Sequence, residues 1–178
     1  MPWLSDLARK RKSRLLLDPI PKDAVILEIG CGDGWVRSYL RQHGWKNYTG
    51  VDLNPPADLV GDICDYRSIG LKPEIFDVII AFELVEHVDC FQQCWELLKP
   101  GGRLVATSPV PEFDWVMKAL EAIGLNQMRT SPHDHLIHFD KVPYFPERKI
   151  WTVGALAQWG VFQKPAALRA MAATSSSS

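Results

Sequence analysis

Three closely spaced glycines follow directly after a continuous apolar run, and this junction limits the possible folds more than any other feature of the sequence. Residues 24–29 are apolar except for Glu28, which is typical of a central strand covered on both faces. The sequence GCGDG follows at residues 30–34, and residues 35–43 then have a helical pattern that ends near Gly44. A strand, a glycine-rich turn and a helix in this order predict an open parallel sheet, which binds ligands at the carboxyl ends of its strands.

Apolar runs and helical patterns continue to alternate along the chain, as expected for parallel strands joined by helical crossovers. Residues 149–155 and 159–164 predict an antiparallel hairpin at the sheet edge. The predicted fold class is α/β, a doubly wound, Rossmann-like and mostly parallel sheet with helices on both faces. We predict further strands over residues 48–53, 58–60, 76–82 and 103–108, and helices over residues 86–98 and 112–123.

The length of 178 residues fits a single domain. We expect an N-terminal helical segment over residues 1–23, the main domain over residues 24–165 and a disordered tail over residues 166–178. Five of the six residues 9–14 are basic. We interpret this run as a solvent-exposed helix face, and the alternative is a contact with an acidic partner or a phosphate.

The overall charge and hydropathy pattern exclude several classes of protein. The 20 basic and 21 acidic residues give a formal net charge of -1, so we expect no nucleic-acid partner. The sequence has no run of about 18 apolar residues and no pattern of a secretory signal, so we expect no membrane insertion and a cytoplasmic location. The four cysteines lack the paired spacing of a zinc site and are expected to be reduced. The oligomeric state is left open.

The glycine loop and a later aspartate indicate what the sheet binds. Glycine lets a ligand approach the backbone closely, and the N–H groups at a helix start favour a negatively charged group. Asp52 ends the second predicted strand, 20 residues after Gly32, where its carboxylate can accept hydrogen bonds from both ribose hydroxyls. A diphosphate-binding loop would have the spacing G-x-G-x-x-G, whereas the spacing here is G-x-G-x-G. Glu28 would repel a diphosphate and would suit a cationic ligand.

Five segments between Val25 and Pro109 carry a family resemblance: VILEIGCGDG, TGVDLNP, GDICDY, FDVIIAFELVEHV and LLKPGGRLVATSP. With these motifs in this order, the chain resembles the class I S-adenosylmethionine-dependent methyltransferases with a type 11/23-like domain. The resemblance implies a seven-stranded sheet whose last strand is antiparallel, in agreement with the predicted hairpin. It also implies that the cofactor is S-adenosylmethionine.

The resemblance further implies roles for individual residues. Asp52 would bind the ribose hydroxyls, Leu53 would pack against the adenine, and Asp62 would accept a hydrogen bond from the adenine amino group. The structural alternative for Asp62 is a turn or cap aspartate. The cofactor-binding residues implied by the resemblance are Glu28, Gly30, Cys31, Gly32, Gly34, Asp52, Leu53, Asp62, Ile63, Phe82 and Glu83.

Histidines are the candidate catalytic residues. A neutral acceptor must lose a proton during methyl transfer, and histidine is the side chain that titrates near neutral pH. The candidates are His87, His133 and His135, although capping and packing are the preferred interpretation for His87. The last two belong to a histidine-rich segment that also contains His138, in the region where relatives line the acceptor pocket.

A divalent metal is an alternative interpretation of the same segments. Glu83, Glu86 and His87 form the pattern E-x-x-E-H, and Asp134 and His135 follow later in the chain. This arrangement is similar to that of small-RNA 2′-O-methyltransferases and some quinone O-methyltransferases, which use a divalent ion. The pattern E-H after this strand also occurs widely among relatives without a metal, so our main expectation is that no metal is bound.

We therefore expect an enzyme that transfers a methyl group from S-adenosylmethionine to an O, N or C atom of a small or medium-sized organic acceptor. The chain has almost no insertion, so it has little room for a separate recognition domain. One alternative is a metal-assisted RNA or quinone O-methyltransferase. The other alternative is a catalytically silent partner subunit that only binds S-adenosylmethionine, because a pocket does not by itself establish chemistry.

Overall fold

The structure is a computed structural model that describes residues 2–111, 137–154 and 156–166. In these ranges seven strands form one sheet in the order β3-β2-β1-β4-β5-β7-β6. Numbered along the chain, they are β1 (Ile26–Ile29), β2 (Tyr48–Asp52), β3 (Leu59–Val60), β4 (Phe76–Phe82), β5 (Leu98–Pro109), β6 (Glu147–Val153) and β7 (Ala157–Gln163).

The direction of the strands changes at one edge of the sheet. Strands β1 to β5 are parallel, whereas β7 is antiparallel to both of its neighbours, β5 and β6. These pairings confirm the predicted fold class, the antiparallel last strand and the terminal hairpin. Since the carboxyl ends of parallel strands meet at one edge, the glycine loop after β1 lies at the same edge as Asp52 and Phe82, which end β2 and β4.

Helices pack against both faces of the sheet. Helix α1 (Pro2–Lys12) continues into a π-helical turn (Ser13–Leu17), and both lie with α2 (Trp35–Gln42) on one face. Helix α3 (Phe91–Leu97) packs against the other face. The side chains that carry these contacts are Leu16, Leu17, Val36 and Leu40 on the first face and Phe91, Cys94 and Leu97 on the second. The N-terminal segment therefore shares a core cluster with the rest of the domain.

The segment between β4 and β5 differs from the prediction. A helix starting at residue 86 is wrong, because α3 begins only at Phe91. Glu86 is buried, and the backbone N–H of His87 donates to the carbonyl of Leu84 at 2.8 Å, so a tight turn takes the place of the predicted first helical turn. Strand β5 also begins earlier than predicted, since Leu98 already pairs with Phe76 before the register shifts.

Two predictions of secondary structure concern other parts of the chain. The helix predicted over residues 112–123 and nearly all of the predicted tail lie outside the described residues. The division of the chain at residues 23 and 165 stays a prediction. No helix among the described residues is long and apolar enough to cross a membrane.

Candidate functional site

The glycine loop has a backbone that side-chain-bearing residues rarely adopt. Gly30, Gly32 and Gly34 have positive φ values of 71°, 43° and 73°. The N–H of Gly30 donates to the carbonyl of Val51 at 2.8 Å, which ties the loop to β2. A Cβ on Gly30 would lie 2.9 Å from Leu84 Cδ1, so this position is crowded as well as strained. Because of this tight turn, α2 begins close to the end of β1.

Asp52 is held in place by the glycine loop and by its own turn. Its Oδ2 accepts a hydrogen bond from the N–H of Gly32 at 3.0 Å, and its Oδ1 accepts one from the N–H of Asn54 at 3.1 Å. Leu53 follows with 67% of its surface exposed, and Val60 at the end of β3 is also exposed. A fixed carboxylate beside exposed apolar side chains fits a nucleoside, because the ribose needs hydrogen-bond acceptors and the base needs an apolar surface.

Asp62 follows β3 and caps a short 3-10 helix, Ile63–Asp65. Its Oδ1 accepts a hydrogen bond from the N–H of Cys64 at 2.8 Å. The cap interpretation of Asp62 is therefore observed. The thiol of Cys64 also forms a hydrogen bond with the Asp62 carboxylate, which has further lone pairs to accept from a ligand. Ile63 is buried beneath this turn.

Glu28 lies in a buried polar cluster under the glycine loop. Its carboxylate accepts a hydrogen bond from the hydroxyl of Tyr48, and the guanidinium of Arg37 is a nearby charge that in turn pairs with Asp58 at 2.9 Å. Burial raises the pKa of Glu28 to about 8, although the hydrogen bond from Tyr48 and the charge of Arg37 act in the opposite direction. A Cβ on Gly50 would lie 2.8 Å from the Tyr48 hydroxyl, so a side chain at this position in β2 would displace that hydroxyl.

A second group of acids lies at the carboxyl end of β4. The Oε1 of Glu83 accepts hydrogen bonds from Thr107 Oγ1 at 2.8 Å and from Lys12 Nζ at 2.6 Å. Glu86 is only 2% exposed, and its Oε2 is buried without a hydrogen-bond partner. Burial, and then the charge of Glu83, raise the pKa of Glu86 to about 8. A buried carboxyl oxygen without a partner is costly, and such atoms are common where a ligand supplies the missing contact.

Arg9 and Lys12 of the basic run form contacts at this edge of the sheet. Arg9 pairs with Asp33 at 2.7 Å and lies 5.4 Å from the ring centroid of Trp35. Lys12 pairs with Glu83 and lies 5.2 Å from the ring centroid of Phe82. We call these two cations, with Asp33, Trp35, Phe82 and Glu83, the basic clasp. The rings of Trp35 and Phe82 stack at 5.9 Å, so the clasp joins the glycine loop to the end of β4.

The basic clasp corrects the interpretation of the basic run as a solvent-exposed face. That interpretation is wrong for Lys12, whose side chain is largely buried, whereas Arg9 stays partly exposed; the acidic partners of both belong to the same chain. Arg9 and Lys12 are three residues apart and therefore lie on the same side of a helix as Leu16, which is buried. The sequence already showed that these three residues share one side of a helix. The acidic partners of Arg9 and Lys12, however, could not be identified without the fold.

The structure brings most of the predicted cofactor-binding residues to one edge of the sheet. The glycine loop, Asp52, Leu53, Asp62, Phe82 and Glu83 all follow the carboxyl ends of β1 to β4. His87 lies in the turn after β4. His133 and His135 lie outside the described residues, and so does Asp134. Which of these residues contact a ligand stays a prediction.

In the described part of the chain, the metal alternative has no group of ligands in place. No group of three or more His, Cys, Asp or Glu side chains there has an arrangement that could hold a metal ion. Glu83, the first acid of the E-x-x-E-H pattern, is engaged by Lys12 and Thr107. A divalent ion in this place would have to displace an ammonium group.

Known proteins share this architecture. The chain is similar to an S-adenosylmethionine-dependent methyltransferase of Archaeoglobus fulgidus, with a TM-score of 0.66, 16% identity and coverage of 89% of this chain and 94% of that one. It is also similar to an S-adenosylmethionine-dependent methyltransferase of Thermotoga maritima, with a TM-score of 0.61, 18% identity and coverage of 88% and 89%. At these identities the likeness concerns the fold alone.

Sequence relatives have a more specific name. A ubiquinone biosynthesis O-methyltransferase of Pseudomonas aeruginosa is 33% identical over 97 residues, which cover 44% of this chain and 41% of the relative. The enzyme of the same name from Cereibacter sphaeroides is 33% identical over 126 residues, which cover 61% and 51%. The chain thus matches about half the length of these relatives.

A family model provides the widest sequence match. The model of the methyltransferase domain matches residues 3–159, which include the glycine loop, Asp52, Glu83, all of β6 and the first three residues of β7. This match confirms the resemblance to the class I S-adenosylmethionine-dependent methyltransferases that the five motifs indicated, and the chain belongs to the methyltransferase-domain family.

Proposed function

We propose that this chain uses S-adenosylmethionine to methylate an O, N or C atom of a small or medium-sized organic acceptor. The observation that carries the proposal is the carboxylate of Asp52, which the N–H of Gly32 holds beside the exposed Leu53. This arrangement combines hydrogen-bond acceptors for a ribose with an apolar surface for a base. It lies at the sheet edge where open α/β folds bind their ligands.

The described residues fit the proposed cofactor in chemical terms. Asp52 would bind the ribose hydroxyls, Leu53 and Ile63 would border the adenine, and the carboxylate of Asp62 would accept from its amino group. Gly30, Cys31, Gly32 and Gly34 would contact the methionine part through the backbone of the loop. Glu28 would contribute from beneath the loop, where its buried carboxyl shapes the electrostatics. Phe82 and Glu83 would form the floor at the end of β4.

Once bound, S-adenosylmethionine supplies an electrophilic methyl group on a sulfonium sulfur. The protein then mainly has to align the acceptor atom and exclude water. We place the acceptor at the β4 end, where Glu86 and the turn that carries His87 lie next to Phe82 and Glu83. His87, His133 and His135 stay the candidates for removing a proton from a neutral acceptor.

A quinone-type phenol is the acceptor that the sequence relatives favour. The two matched relatives named above are ubiquinone biosynthesis O-methyltransferases, at 33% identity. The metal-assisted variant stays an alternative, because Asp134 and His135 of its proposed ligand set lie outside the described residues. A cytoplasmic location remains part of the proposal, as does the absence of a nucleic-acid partner.

Titration calorimetry with S-adenosylmethionine tests the cofactor assignment. We expect binding with a Kd below about 100 μM, weakened at least about tenfold in Asp52→Asn. The matched control is Asp65→Asn, because Asp65 is an exposed aspartate of the neighbouring 3-10 helix. Equal affinity in the wild type and Asp52→Asn would contradict the assignment.

A second experiment tests turnover. The wild type is incubated with methyl-labelled S-adenosylmethionine and a small-molecule cell extract, with and without a chelator. Incorporation that survives chelation supports the proposal. Incorporation that the chelator abolishes would instead support the metal-assisted alternative, and cofactor binding without incorporation would support the silent partner subunit.

A further inference from the structure

The outward side of the N-terminal segment combines leucines with cations. Leu7 is 59% exposed and Leu15 is 48% exposed. Three exposed cations lie between and beside them on the same side of the segment. We call this set the leucine-basic face; it consists of Leu7, Lys10, Arg11, Arg14 and Leu15.

The spacing explains why these five residues share one side. Residues 7, 10, 11 and 14 follow the i, i+3, i+4, i+7 pattern of a single helix face. The opposite side bears Lys12 of the basic clasp and the buried Ser13, Leu16 and Leu17. The segment is thus held to the domain by one side. All five residues of the leucine-basic face are exposed, and Lys10 and Arg14 also border a cavity beside α2 that Asp6 and Asp18 line.

The cations of the leucine-basic face are not neutralised by ion pairs within the described residues. Arg11 lies 5.8 Å from the ring centroid of Trp159, and no ion pair of Arg11 is found among the described residues. Among the described residues, Lys10 and Arg14 form no ion pair or hydrogen bond through their side chains. The chain as a whole has a net charge of -1, so this is a local positive patch on a nearly neutral protein.

We propose that the leucine-basic face docks on an anionic lipid surface. Cations attract the headgroups, and exposed leucines gain free energy when they enter the boundary between headgroups and acyl chains. A nucleic acid would use the cations but would offer no environment for two leucines. The inference concerns membrane association and does not depend on the proposed methyl transfer.

Docking by this face would have a geometric consequence. The basic clasp attaches the inner side of the same helix to Asp33 and Glu83, at the edge of the sheet that carries the candidate site. A protein bound through the outer side of α1 would therefore hold that edge one helix away from the lipid, about 10 Å. An acceptor that partitions into the bilayer would then be concentrated near the site.

Co-sedimentation with lipid vesicles tests the proposal on the full chain. We expect binding to phosphatidylcholine vesicles that contain about one third phosphatidylglycerol, and at least about tenfold weaker binding to pure phosphatidylcholine. The double variant Lys10→Glu/Arg14→Glu should lose about tenfold or more in binding, and Leu7→Ser/Leu15→Ser about threefold or more.

The matched control is the double variant Arg41→Glu/Lys46→Glu, which makes the same charge change at exposed residues at and beyond the end of α2. It should bind anionic vesicles to within about twofold of the wild type. Circular dichroism of each variant verifies that it is folded. Equal loss in the control variant, no preference for anionic vesicles, or displacement from vesicles by a short DNA duplex would each overturn the proposal.

Discussion

The two ends of the candidate site are built in different ways. At the β1 and β2 end, backbone geometry dominates: glycines with positive φ hold Asp52 through the N–H of Gly32. At the β4 and β5 end, side chains dominate: Lys12, Glu83 and Thr107 meet from three distant parts of the chain. The first end is thus encoded in a short sequence motif, and the second end depends on how the whole domain packs.

The two ends of the site also differ in one buried glutamate each, Glu28 and Glu86. Burial raises the pKa of both Glu28 and Glu86 to about 8. Glu28 has its hydrogen-bond donor in Tyr48, whereas the Oε2 of Glu86 has no partner. The contrast concerns the two carboxyl groups alone, because the Nε of Arg37 beside Glu28 is also buried without a hydrogen-bond partner.

The largest effect on cofactor binding should come from removing the carboxylate at the glycine end. Asp52→Ala should weaken S-adenosylmethionine binding about 50-fold, because it removes the ribose acceptors and the bond that holds Gly32. Titration calorimetry measures the change, and Asp65→Ala is the control. A change in affinity of less than about threefold would contradict the proposed role of Asp52 at the glycine end of the site.

The next prediction compares the two buried glutamates directly. Glu28→Met should lower the free energy of unfolding by about 2 kcal/mol, because it leaves the Tyr48 hydroxyl without its acceptor. Glu86→Met should lower it by only about 1 kcal/mol, because it removes a hydrogen bond with Ser108 but also a buried oxygen that has no partner. Denaturant unfolding at neutral pH measures both, and equal losses would contradict the contrast.

The raised pKa of Glu86 gives a prediction for pH dependence. A carboxyl whose pKa is raised on folding contributes stability that is fully present below its unfolded value, 4.5, and is lost as the pH rises through its folded value, about 8. The wild type should therefore lose more stability than Glu86→Gln between pH 5 and pH 8, by about 3 kcal/mol. Thermal unfolding across this range is the measurement. Parallel pH profiles would show that Glu86 is not buried as described.

A smaller effect should come from the basic clasp. Lys12→Met removes the ion pair with Glu83, which is partly exposed, so the free energy of unfolding should fall by only about 0.5–1 kcal/mol. Hydrogen exchange over residues 2–17 should become faster, because α1 loses one of its ion pairs with the domain. Lys10→Met is the matched control on the opposite side of the helix, and it should exchange as the wild type does.

The smallest effect on stability should come from Leu53. Leu53→Ser should leave the free energy of unfolding within about 0.5 kcal/mol, because the side chain is 67% exposed. It should still weaken S-adenosylmethionine binding about fivefold, since the proposed adenine contact is lost. Leu15→Ser, at another exposed leucine, should leave the affinity unchanged. Unchanged affinity in both variants would place the adenine elsewhere.

Much of the fold could be predicted because its signals are local. The apolar run before Gly30 and the run at residues 76–82 define central strands, and the structure has β1 and β4 there. The turn after β4 could not be predicted from propensity, because burial of Glu86 overrides the helical pattern of residues 86–90. Helix pattern and strand periodicity report neighbours in sequence, and they contain no information on which distant carboxyl group a side chain meets.

The sequence alone determined the order of strands and helices, the glycine loop and the acid at the end of β2, because each depends on residues close together in the chain. Only the tertiary structure decided that Arg9 and Lys12 turn inward to Asp33 and Glu83, that Glu28 is satisfied by Tyr48, and that Glu86 is left with an unpaired oxygen. The physical reason is that burial and ion pairing depend on contacts between distant segments, and these form only when the sheet edge is assembled.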